Sequence, residues 1–347
     1  MARRPGAVMT AAGLCRGLDT LYAVPPEHRL DDVDRASARQ VLGCDDHTLS
    51  VLLDRGLPAS GDPGEERFDS RDLFNLALYS GTGTTVPEQA FAYSLRWMRS
   101  STEELLAPRA SRFALRVACA ADACGPRPTS TLALPRPERC GGAVRDLTVE
   151  DADGTAGPSG DPGDTVTRTA SQLAVTATVH TRGELAELRS PELRAIAAEF
   201  AAMDLRWVKL PGALQNDVDL VTTHGVASCD SASRYLAQLC RQAGIPAVTR
   251  IGWVVGMLDL VHAWVEVEDA DGAAKVIDPV FALFSATVRD TNPLLRDPAI
   301  ALRTNRLIPT GLSTGRAVAE HRCADEPTAA RLTTKILPAP TRPQEGS

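Results

Sequence analysis

Three residues in the second half of the chain have the types and the order needed for covalent catalysis. Cys229 follows two small residues, Ala227 and Ser228, and His262 and Asp278 come after it in that order. A thiol that attacks a carbonyl, an imidazole that moves its proton and a carboxylate that orients the imidazole form a common nucleophilic set. The order therefore indicates a set of nucleophile, base and orienting carboxylate.

The residues after Cys229 predict a helix that begins at or just after this thiol. Small or apolar side chains have the spacing of one buried helical stripe, at Ala232, Leu236, Leu239, Cys240 and Ala243. Gly244 and Pro246 end the helix. The N–H groups and the positive dipole end at its start would favour the Cys229 thiolate. Cys240 lies on the buried stripe and is predicted to be an inert core thiol.

His262 and Asp278 are predicted to lie on adjacent antiparallel strands. Residues 261–267 alternate as a strand, with His262, Trp264 and Glu266 on one face. A turn of about five residues, 268–272, leads into residues 274–278. It pairs residue 267 with 273 and puts His262 directly opposite Asp278, on the same face of the hairpin. A loop one residue shorter or longer would break this shared face.

Three segments together resemble the transglutaminase-like superfamily of papain-type cysteine enzymes. They are GVASCDSASRYLAQLCRQAGIPA (225–247), VHAWVEV (261–267) and VIDP (276–279). The resemblance covers residues 185–285 and implies an α+β fold, in which a buried helix that carries the cysteine packs on an antiparallel sheet. It also implies that Cys229 forms the thioester, that His262 moves the proton and that Asp278 holds the imidazole tautomer.

The resemblance implies further residues around these three. The oxyanion would be held by the backbone N–H of Cys229 and by a second donor, for which Trp207 and Gln215 are the candidates. Candidates for the substrate groove are Ser228, Asp230, Trp253 and Trp264. The small residues before Cys229 and the Asp-Ser after it depart from the commonest family pattern, so the substrate cannot be carried over from relatives.

The acyl acceptor leaves three hypotheses open. The first is amide-bond formation between a small-molecule amine and an acyl, peptidyl or carrier-protein-bound donor, as in antibiotic and other natural-product biosynthesis. The abundance of Ala, Arg, Gly and Pro, typical of high-GC bacteria, favours it. The second is a thiol peptidase or amidase, with water as acceptor. The third is a non-catalytic regulator whose transglutaminase-like domain senses a ligand. No cofactor is expected for any of them.

A small helical unit precedes this region. The stretches ASARQVLGCDDHTLSVLLDRGLP (36–58) and RFDSRDL (67–73) resemble the helix-turn-helix of excisionase-like and MerR-like DNA-binding domains, with Asp69 or Ser70 as a helix N-cap. Residues 29–80 contain six arginines and no lysine against eleven acidic residues. DNA would repel such a surface. We therefore expect a packing role or a protein partner, and no binding to nucleic acid.

Composition and sequence patterning predict where the protein is located and how its domains are organised. The 347 residues carry a net charge of −7 and lack the run of about 18 apolar residues that a membrane span needs, so a cytoplasmic protein that does not bind membranes is expected. The predicted organisation is a flexible N-terminus (1–28), a helical domain (29–115), an irregular segment with an acidic Gly/Pro-rich linker (116–172), the catalytic domain (173–327) and a flexible tail (328–347).

The eight cysteines show no pattern of a disulfide framework. Cys119, Cys124 and Cys140 lie within one segment, but a structural zinc site needs four ligands. The fourth would have to be a carboxylate such as Asp122 or Glu138. Reduced free thiols and no bound metal are therefore expected.

Overall fold

The computed structural model of the protein describes residues 5–121, 124–151, 163–257, 261–324 and 326–339. Its α-helices are α1 (Pro5–Asp19), α2 (Arg35–Leu42), α3 (Asp46–Asp54), α4 (Ser70–Leu78), α5 (Val86–Ser94), α6 (Thr102–Leu106), α7 (Pro191–Ala202), α8 (Asp219–His224), α9 (Cys229–Gln242) and α10 (Pro279–Thr287). Within the described ranges, none of these helices combines the length and the apolar character that a bilayer span requires.

The strands complete an α+β fold, as predicted. They are β1 (Val33–Asp34), β2 (Arg67–Phe68), β3 (Arg109–Cys119), β4 (Thr129–Ala133), β5 (Ala143–Asp151), β6 (Thr165–Arg168), β7 (Gln172–Thr181), β8 (Glu184–Glu187), β9 (Arg206–Trp207), β10 (Val226–Ala227), β11 (Ala247–Val254), β12 (Val261–Glu268), β13 (Ala274–Ile277), β14 (Ile300–Arg303), β15 (Leu307–Pro309), β16 (Ala319–Cys323), β17 (Glu326–Pro327) and β18 (Ala330–Pro338).

The chain divides into two compact units, and neither is continuous in sequence. The first comprises Met1–Arg96, Met203–Ala232 and Leu283–Arg289. The second comprises Trp97–Ala202, Ser233–Ala282 and Asp290–Ser347. The predicted domains were consecutive stretches of sequence, whereas the structure brings distant segments into each unit.

Helices α2, α3 and α4 of the first unit confirm the three predicted between residues 29 and 79. Each is preceded by an aspartate whose side chain accepts a hydrogen bond from a backbone N–H of the helix. Asp34 caps α2, Asp45 caps α3 and Asp69 caps α4. Asp72 is buried and accepts hydrogen bonds from Val24 N–H and Arg29. Part of the acidic charge of residues 29–80 therefore binds hydrogen-bond donors inside the unit. Its resemblance to a DNA-binding unit stays a prediction.

The N-terminal segment also belongs to this unit. Leu14 of α1 is fully buried in an apolar cluster with Leu42, Leu49 and Leu73. The prediction of a flexible segment over residues 1–28 is therefore wrong for residues 5–28, since α1 packs against side chains far along the chain. Residues 1–4 lie outside the described part of the chain.

The second unit is built around antiparallel sheets. One has the strand order β18-β3-β7-β5 and another has the order β17-β16-β4-β6. The predicted helix near residues 105–115 is instead mostly β3, in which Phe113, Leu115 and Val117 alternate as buried side chains. β18 pairs with β3 along its whole length, which contradicts the predicted flexible tail up to residue 339.

The segment predicted to be irregular, 116–172, also forms strands where the structure describes it. β4, β5 and β6 lie within it and pair with β16, β7 and β4 respectively. Threonine and valine in these strands favour extended backbone, but β4 and β5 also pair with β16 and β7, which lie beyond this segment or begin at its last residue. Most of the predicted linker, residues 152–162, and the tail beyond residue 339 lie outside the described ranges.

A third sheet of the second unit carries the predicted hairpin, with the order β13-β12-β11-β15. β12 is an inner strand and is buried on both faces, since Ala263, Trp264 and Val265 are all fully buried. Its two faces therefore do not differ in exposure as they would on a half-exposed strand. The family resemblance anticipated the antiparallel sheet itself.

A buried ion pair anchors the turn of this hairpin. Asp269, the first loop residue, accepts hydrogen bonds from the backbone N–H groups of Arg189 and Ser190. It also accepts a hydrogen bond from the Nζ of Lys275 at 2.5 Å. The exposed fraction is 0% for the Asp269 side chain and 4% for the Lys275 side chain. Burial alone would raise the pKa of the Asp269 carboxyl, but these donors hold its pKa below the usual range.

We predict that Asp269→Ala lowers the free energy of unfolding by about 3–5 kcal/mol, because it leaves the Lys275 ammonium buried without its main partner. Asp271→Ala is the matched control: Asp271 also binds Lys275 but is 40% exposed, and its loss should cost less than about 1 kcal/mol. Urea denaturation of both variants measures the difference. Equal losses would show that burial of the pair does not matter.

The same pair sets a pH dependence. The folded-state pKa of Asp269 lies below its unfolded value, so its contribution to stability is present above about pH 4 and is lost as the pH falls further. The wild type should therefore lose more stability between about pH 5 and pH 3 than Asp269→Ala does.

Candidate active site

The structure places Cys229 as the first residue of α9, as predicted. Ser228 caps this helix: its Oγ accepts the Ser231 N–H at 3.0 Å, and Ser231 Oγ accepts the Ser228 N–H at 2.9 Å. This reciprocal pair has the logic of a capping box. Ser228 Oγ also donates to the carbonyl of Gln215 at 2.6 Å. The half-buried Cys229 thus sits directly after a buried serine that fixes where the helix begins.

α9 ends as the sequence predicted. Gly244 adopts a φ of +78°, and the N–H of Ile245 donates to the carbonyl of Cys240 at 2.9 Å. Cys240 is fully buried, and burial raises the pKa of its thiol to about 11. The prediction that Cys240 lies in the core is confirmed, and its inertness stays a prediction.

The two oxyanion candidates belong to the same unit as Cys229. β9 lies parallel to β10, so that Trp207 pairs with Ala227, and the Val208 N–H donates to the Ala227 carbonyl at 2.9 Å. Trp207 therefore lies beside the backbone of the residues just before Cys229. Its ring stacks on Phe91 with 5.5 Å between centroids.

The donors of the two candidates differ. Among the described residues, the buried indole Nε1 of Trp207 has no acceptor. The side-chain amide of Gln215 donates to the carbonyl of Leu210 at 3.3 Å. The indole nitrogens of Trp97, Trp253 and Trp264 likewise lack acceptors in the described part of the chain. Only the strand pairing with Ala227 therefore sets Trp207 apart from these three.

His262 and Asp278 lie in the second unit, and the register of their hairpin differs from the predicted one. Glu268 pairs with Ala274 and Val265 pairs with Ile277. The loop, 269–273, has the predicted length but begins one residue later, which shifts the register by two. His262 is therefore diagonal to Asp278 rather than directly opposite. Because side chains alternate with period two, the two residues still share a face.

The diagonal placement brings the two side chains together. His262 Nε2 lies 2.6 Å from Asp278 Oδ2, and the exposed fractions of the side chains are 0% and 2%. An ionised carboxylate can only accept, so Nε2 carries the hydrogen and Nδ1 is the basic nitrogen. This geometry would let Asp278 hold the imidazole tautomer, and that role stays a prediction.

The second carboxylate oxygen of Asp278 is also used. Oδ1 accepts the N–H groups of Val280 and Phe281 at 3.0 and 3.1 Å, at the start of α10. Pro279 occupies the first position of this helix, where proline is well tolerated. The Asp-Pro pair thus begins a helix and orients an imidazole at the same time.

An aromatic ring stacks on the imidazole of His262. The rings of His262 and Phe281 are nearly parallel, with 5.1 Å between centroids and an interplanar angle of 6°. Trp264 lies further away, with 6.3 Å between ring centroids. The ring plane of His262 is therefore set by packing as well as by Asp278. No pattern in the sequence pointed to Phe281.

The predicted substrate-groove residues have different surroundings. Trp253 and Trp264 have no exposed surface, and Trp253 packs edge-to-face on Phe113 with 4.7 Å between centroids. Their prediction as groove residues is corrected: both are core side chains, since the sheet that carries them is covered. Ser228 is a buried helix cap, and Asp230 is half-buried.

A separate group of side chains in the second unit could hold a metal. Ligand atoms of Cys119, Cys124, His321 and Cys323 all lie within 4.8 Å of one another. In the sequence, Cys119 and Cys124 were grouped with Cys140 and free thiols were expected. His321 and Cys323 were not included in that group, because they come about 200 residues later in the chain. Asp122, one proposed fourth ligand, lies outside the described residues.

Comparison with solved structures finds several similar chains, among them the following three. A candidate cysteine protease from Cytophaga hutchinsonii is 15% identical with a TM-score of 0.41, over 68% of this chain and 93% of that one. The periplasmic domain of TgpA from Pseudomonas aeruginosa, bound to ethylmercury, is 16% identical with a TM-score of 0.23, over 58% and 95%. A candidate protease from Parabacteroides distasonis is 8% identical with a TM-score of 0.19, over 54% and 65%.

Comparison of sequences gives a more specific result. No curated protein matches the chain. Residues 179–274 match the family model of the transglutaminase-like superfamily. This span contains Cys229 and His262 and ends at the first residue of β13, four residues before Asp278. It includes two of the three segments that carried the resemblance, 225–247 and 261–267, whereas 276–279 lies beyond it, so that residues 179–274 are transglutaminase-like in sequence.

Proposed function

We propose that the protein is a cysteine-dependent acyltransferase that forms a thioester on Cys229 and passes the acyl group to an amine. The observation that supports this best is the buried His262–Asp278 pair, whose 2.6 Å hydrogen bond assigns the basic nitrogen of the imidazole. A buried imidazole with a fixed tautomer is the group that a thiol nucleophile needs as its base.

In the proposed reaction, His262 Nδ1 takes the proton of the Cys229 thiol. The thiolate attacks the carbonyl carbon of the donor and forms a C–S bond. The tetrahedral intermediate expels the leaving group, which takes the proton back from the imidazolium. An amine then attacks the thioester, gives a proton to His262 and forms the C–N bond. The C–S bond breaks, and the imidazolium returns the proton to the departing sulfur, which regenerates the Cys229 thiol.

Asp278 is proposed to act through His262. By accepting the Nε2 hydrogen, it keeps Nδ1 as the basic nitrogen and stabilises the imidazolium that forms after proton transfer. Its other oxygen is held by two backbone N–H groups of α10, which prevents the carboxylate from rotating away. Asp278 is therefore a positioning residue for His262.

For the second oxyanion donor we favour Trp207 over Gln215. The indole N–H of Trp207 has no acceptor in the described part of the chain, and its strand pairs with the residues just before Cys229. The Gln215 amide already donates to a backbone carbonyl. An indole N–H that finds its acceptor only when the oxyanion forms would contribute to the transition state rather than to substrate binding.

The amine acceptor is the less constrained part of the proposal. The net charge of −7 favours the approach of a cationic amine. A small-molecule amine and a carrier-bound or peptidyl donor, as in bacterial natural-product biosynthesis, fit this chemistry. The acidic N-terminal segment could contact such a substrate or a protein partner. A thiol peptidase or amidase would use the same first step with water as acceptor.

We predict that Cys229→Ala abolishes covalent trapping, whereas Cys240→Ala leaves it intact. The protein is incubated with an acyl-N-acetylcysteamine thioester and analysed by intact-mass spectrometry. Wild type and Cys240→Ala should each gain one acyl group, because Cys240 is buried and stays a thiol. Absence of any adduct on the wild type with a series of such donors and with iodoacetamide would rule out the thioester mechanism.

The fate of the adduct separates the two enzyme classes. Faster loss of the acyl group in the presence of a primary amine, with formation of the amide, identifies a transferase. A decay rate that no amine changes identifies a hydrolase.

We predict that Asp278→Asn slows acylation of Cys229 by about 10³–10⁴-fold, because the amide can favour the wrong imidazole tautomer. Asparagine keeps an oxygen that can accept the Val280 and Phe281 N–H groups, so the thermal midpoint should change little. Acylation rates come from the mass assay, and circular dichroism checks the fold. A rate within tenfold of wild type would contradict the role of Asp278.

We predict that Trp207→Phe lowers the acylation rate by about 10²–10³-fold, as expected for loss of one oxyanion donor. Phenylalanine keeps most of the packing against Phe91. Gln215→Ala should change the rate by less than tenfold, since the amide is engaged elsewhere. The opposite ranking of the two variants in the same assay would move the oxyanion role to Gln215.

A further inference from the structure

Four sulfur and nitrogen ligands converge in the second unit at a place that the proposed reaction does not use. Cys119 is the last residue of β3, and Cys124 lies in the connection that follows. His321 and Cys323 are two residues apart on β16, so their side chains leave the strand on the same face. Cys119 and Cys323 are 204 residues apart in the sequence.

The distances within this cluster suit one tetrahedral ion. Cys124 Sγ lies 3.4 Å from Cys323 Sγ, and each of these sulfurs lies 3.3 Å from His321 Nε2. Cys119 Sγ lies 3.9 Å from Cys323 Sγ. A tetrahedral zinc with Zn–S of about 2.3 Å and Zn–N of about 2.0–2.1 Å holds its ligand atoms about 3.5–3.8 Å apart. The four atoms are thus near the positions that a zinc ion requires.

A second layer of hydrogen bonds directs the imidazole toward the sulfurs. Ser130 Oγ donates to the carbonyl of Ala170 at 2.8 Å and lies 2.9 Å from His321 Nδ1. Because the hydroxyl hydrogen points to Ala170, Ser130 accepts from Nδ1–H, and Nε2 carries the lone pair. His321 is therefore held as the tautomer that binds a metal through Nε2, with a second-shell partner of the usual kind.

The backbone around the ligands is fixed by the sheets. His321 pairs with Ser130 across β16 and β4, and Cys119 pairs with Ala330 across β3 and β18. A side chain at Gly125 would place its Cβ 3.0 Å from the Cβ of Cys323, so glycine allows the loop after Cys124 to approach β16. Three of the four ligands are thus set on the strands of two sheets.

We propose that Cys119, Cys124, His321 and Cys323 form a structural zinc site. Three thiolates and one imidazole fill all four positions of a tetrahedral ion and leave none open for a substrate, which is typical of structural sites. Soft sulfur ligands in this geometry select zinc over magnesium or calcium. Binding releases the three thiol protons, and the completed site carries one net negative charge.

A disulfide explains the cluster less well. The sulfur–sulfur distances of 3.4 and 3.9 Å exceed the bond length of about 2.05 Å. A disulfide would also leave a third thiol and an oriented imidazole without a role. The zinc ion would instead connect the loop after β3 to β16 and thereby hold the C-terminal strands of this unit to its first strand.

Metal content of the full-length protein tests the proposal. The chain is purified under reducing conditions, incubated with zinc, freed of excess by gel filtration and analysed by inductively coupled plasma mass spectrometry. Wild type should retain one zinc per chain, and Cys323→Ser and His321→Ala should retain less than about one fifth of that. Cys140→Ser is the matched control, a buried cysteine outside the cluster, and should retain full zinc.

A spectroscopic measurement on the wild type covers the case in which the variants fail to fold. X-ray absorption at the zinc edge should show three sulfur ligands at about 2.3 Å and one nitrogen at about 2.0–2.1 Å. Chelation should lower the thermal midpoint of wild type by several degrees and leave that of a folded Cys323→Ser variant unchanged. Wild type without zinc after incubation, a different ligand set, or a disulfide between these cysteines in the reduced protein would overturn the proposal.

Discussion

The register between β12 and β13 is the constraint on which the candidate active site depends. His262 and Asp278 meet at 2.6 Å across strands that pair with Glu268 opposite Ala274, a register that keeps both side chains on one face. A slip of one residue would turn one of the two side chains to the other face of the sheet. The position of the hairpin loop therefore decides whether the imidazole has its carboxylate.

Buried charge fixes that loop. Asp269 begins it, its carbonyl accepts the Gly272 N–H at 2.8 Å, and its carboxylate binds Lys275 on the returning strand. Gly272 supplies the positive φ of 72° that the tight turn needs. A loop that began one residue earlier would put Glu268 at the first loop position and move Asp269 away from the Arg189 and Ser190 N–H groups that bind its carboxylate. The cost of an unpaired buried charge thus selects one register.

Both halves of the proposed catalytic set use the start of a helix, but in different ways. Ser228 caps α9 so that Cys229 becomes its first residue, whereas Asp278 caps α10 with one oxygen and orients His262 with the other. In each case a polar side chain that satisfies backbone N–H groups also places a functional group. The rigidity of these positions therefore comes from the same hydrogen bonds that begin the helices.

The sequence alone determined the features that depend on neighbours within a few residues. The capping aspartates, the start of α9 at Cys229, its end at Gly244, the buried stripe with Cys240 and the five-residue hairpin loop all follow from local spacing and residue type. The shared face of His262 and Asp278 was also predictable, because period-two alternation survives a register shift of two.

The tertiary structure decided what depends on contacts between distant segments. The exact register, the full burial of Trp253 and Trp264 and the strand character of β3 and β18 each require partners that local pattern does not reveal. The same holds for the sulfur and imidazole cluster, since Cys119 and Cys323 are 204 residues apart and contact between β3 and β16, which belong to two different sheets, brings them together. Local preferences amount to fractions of a kcal/mol per residue, and burial and pairing over the whole unit outweigh them.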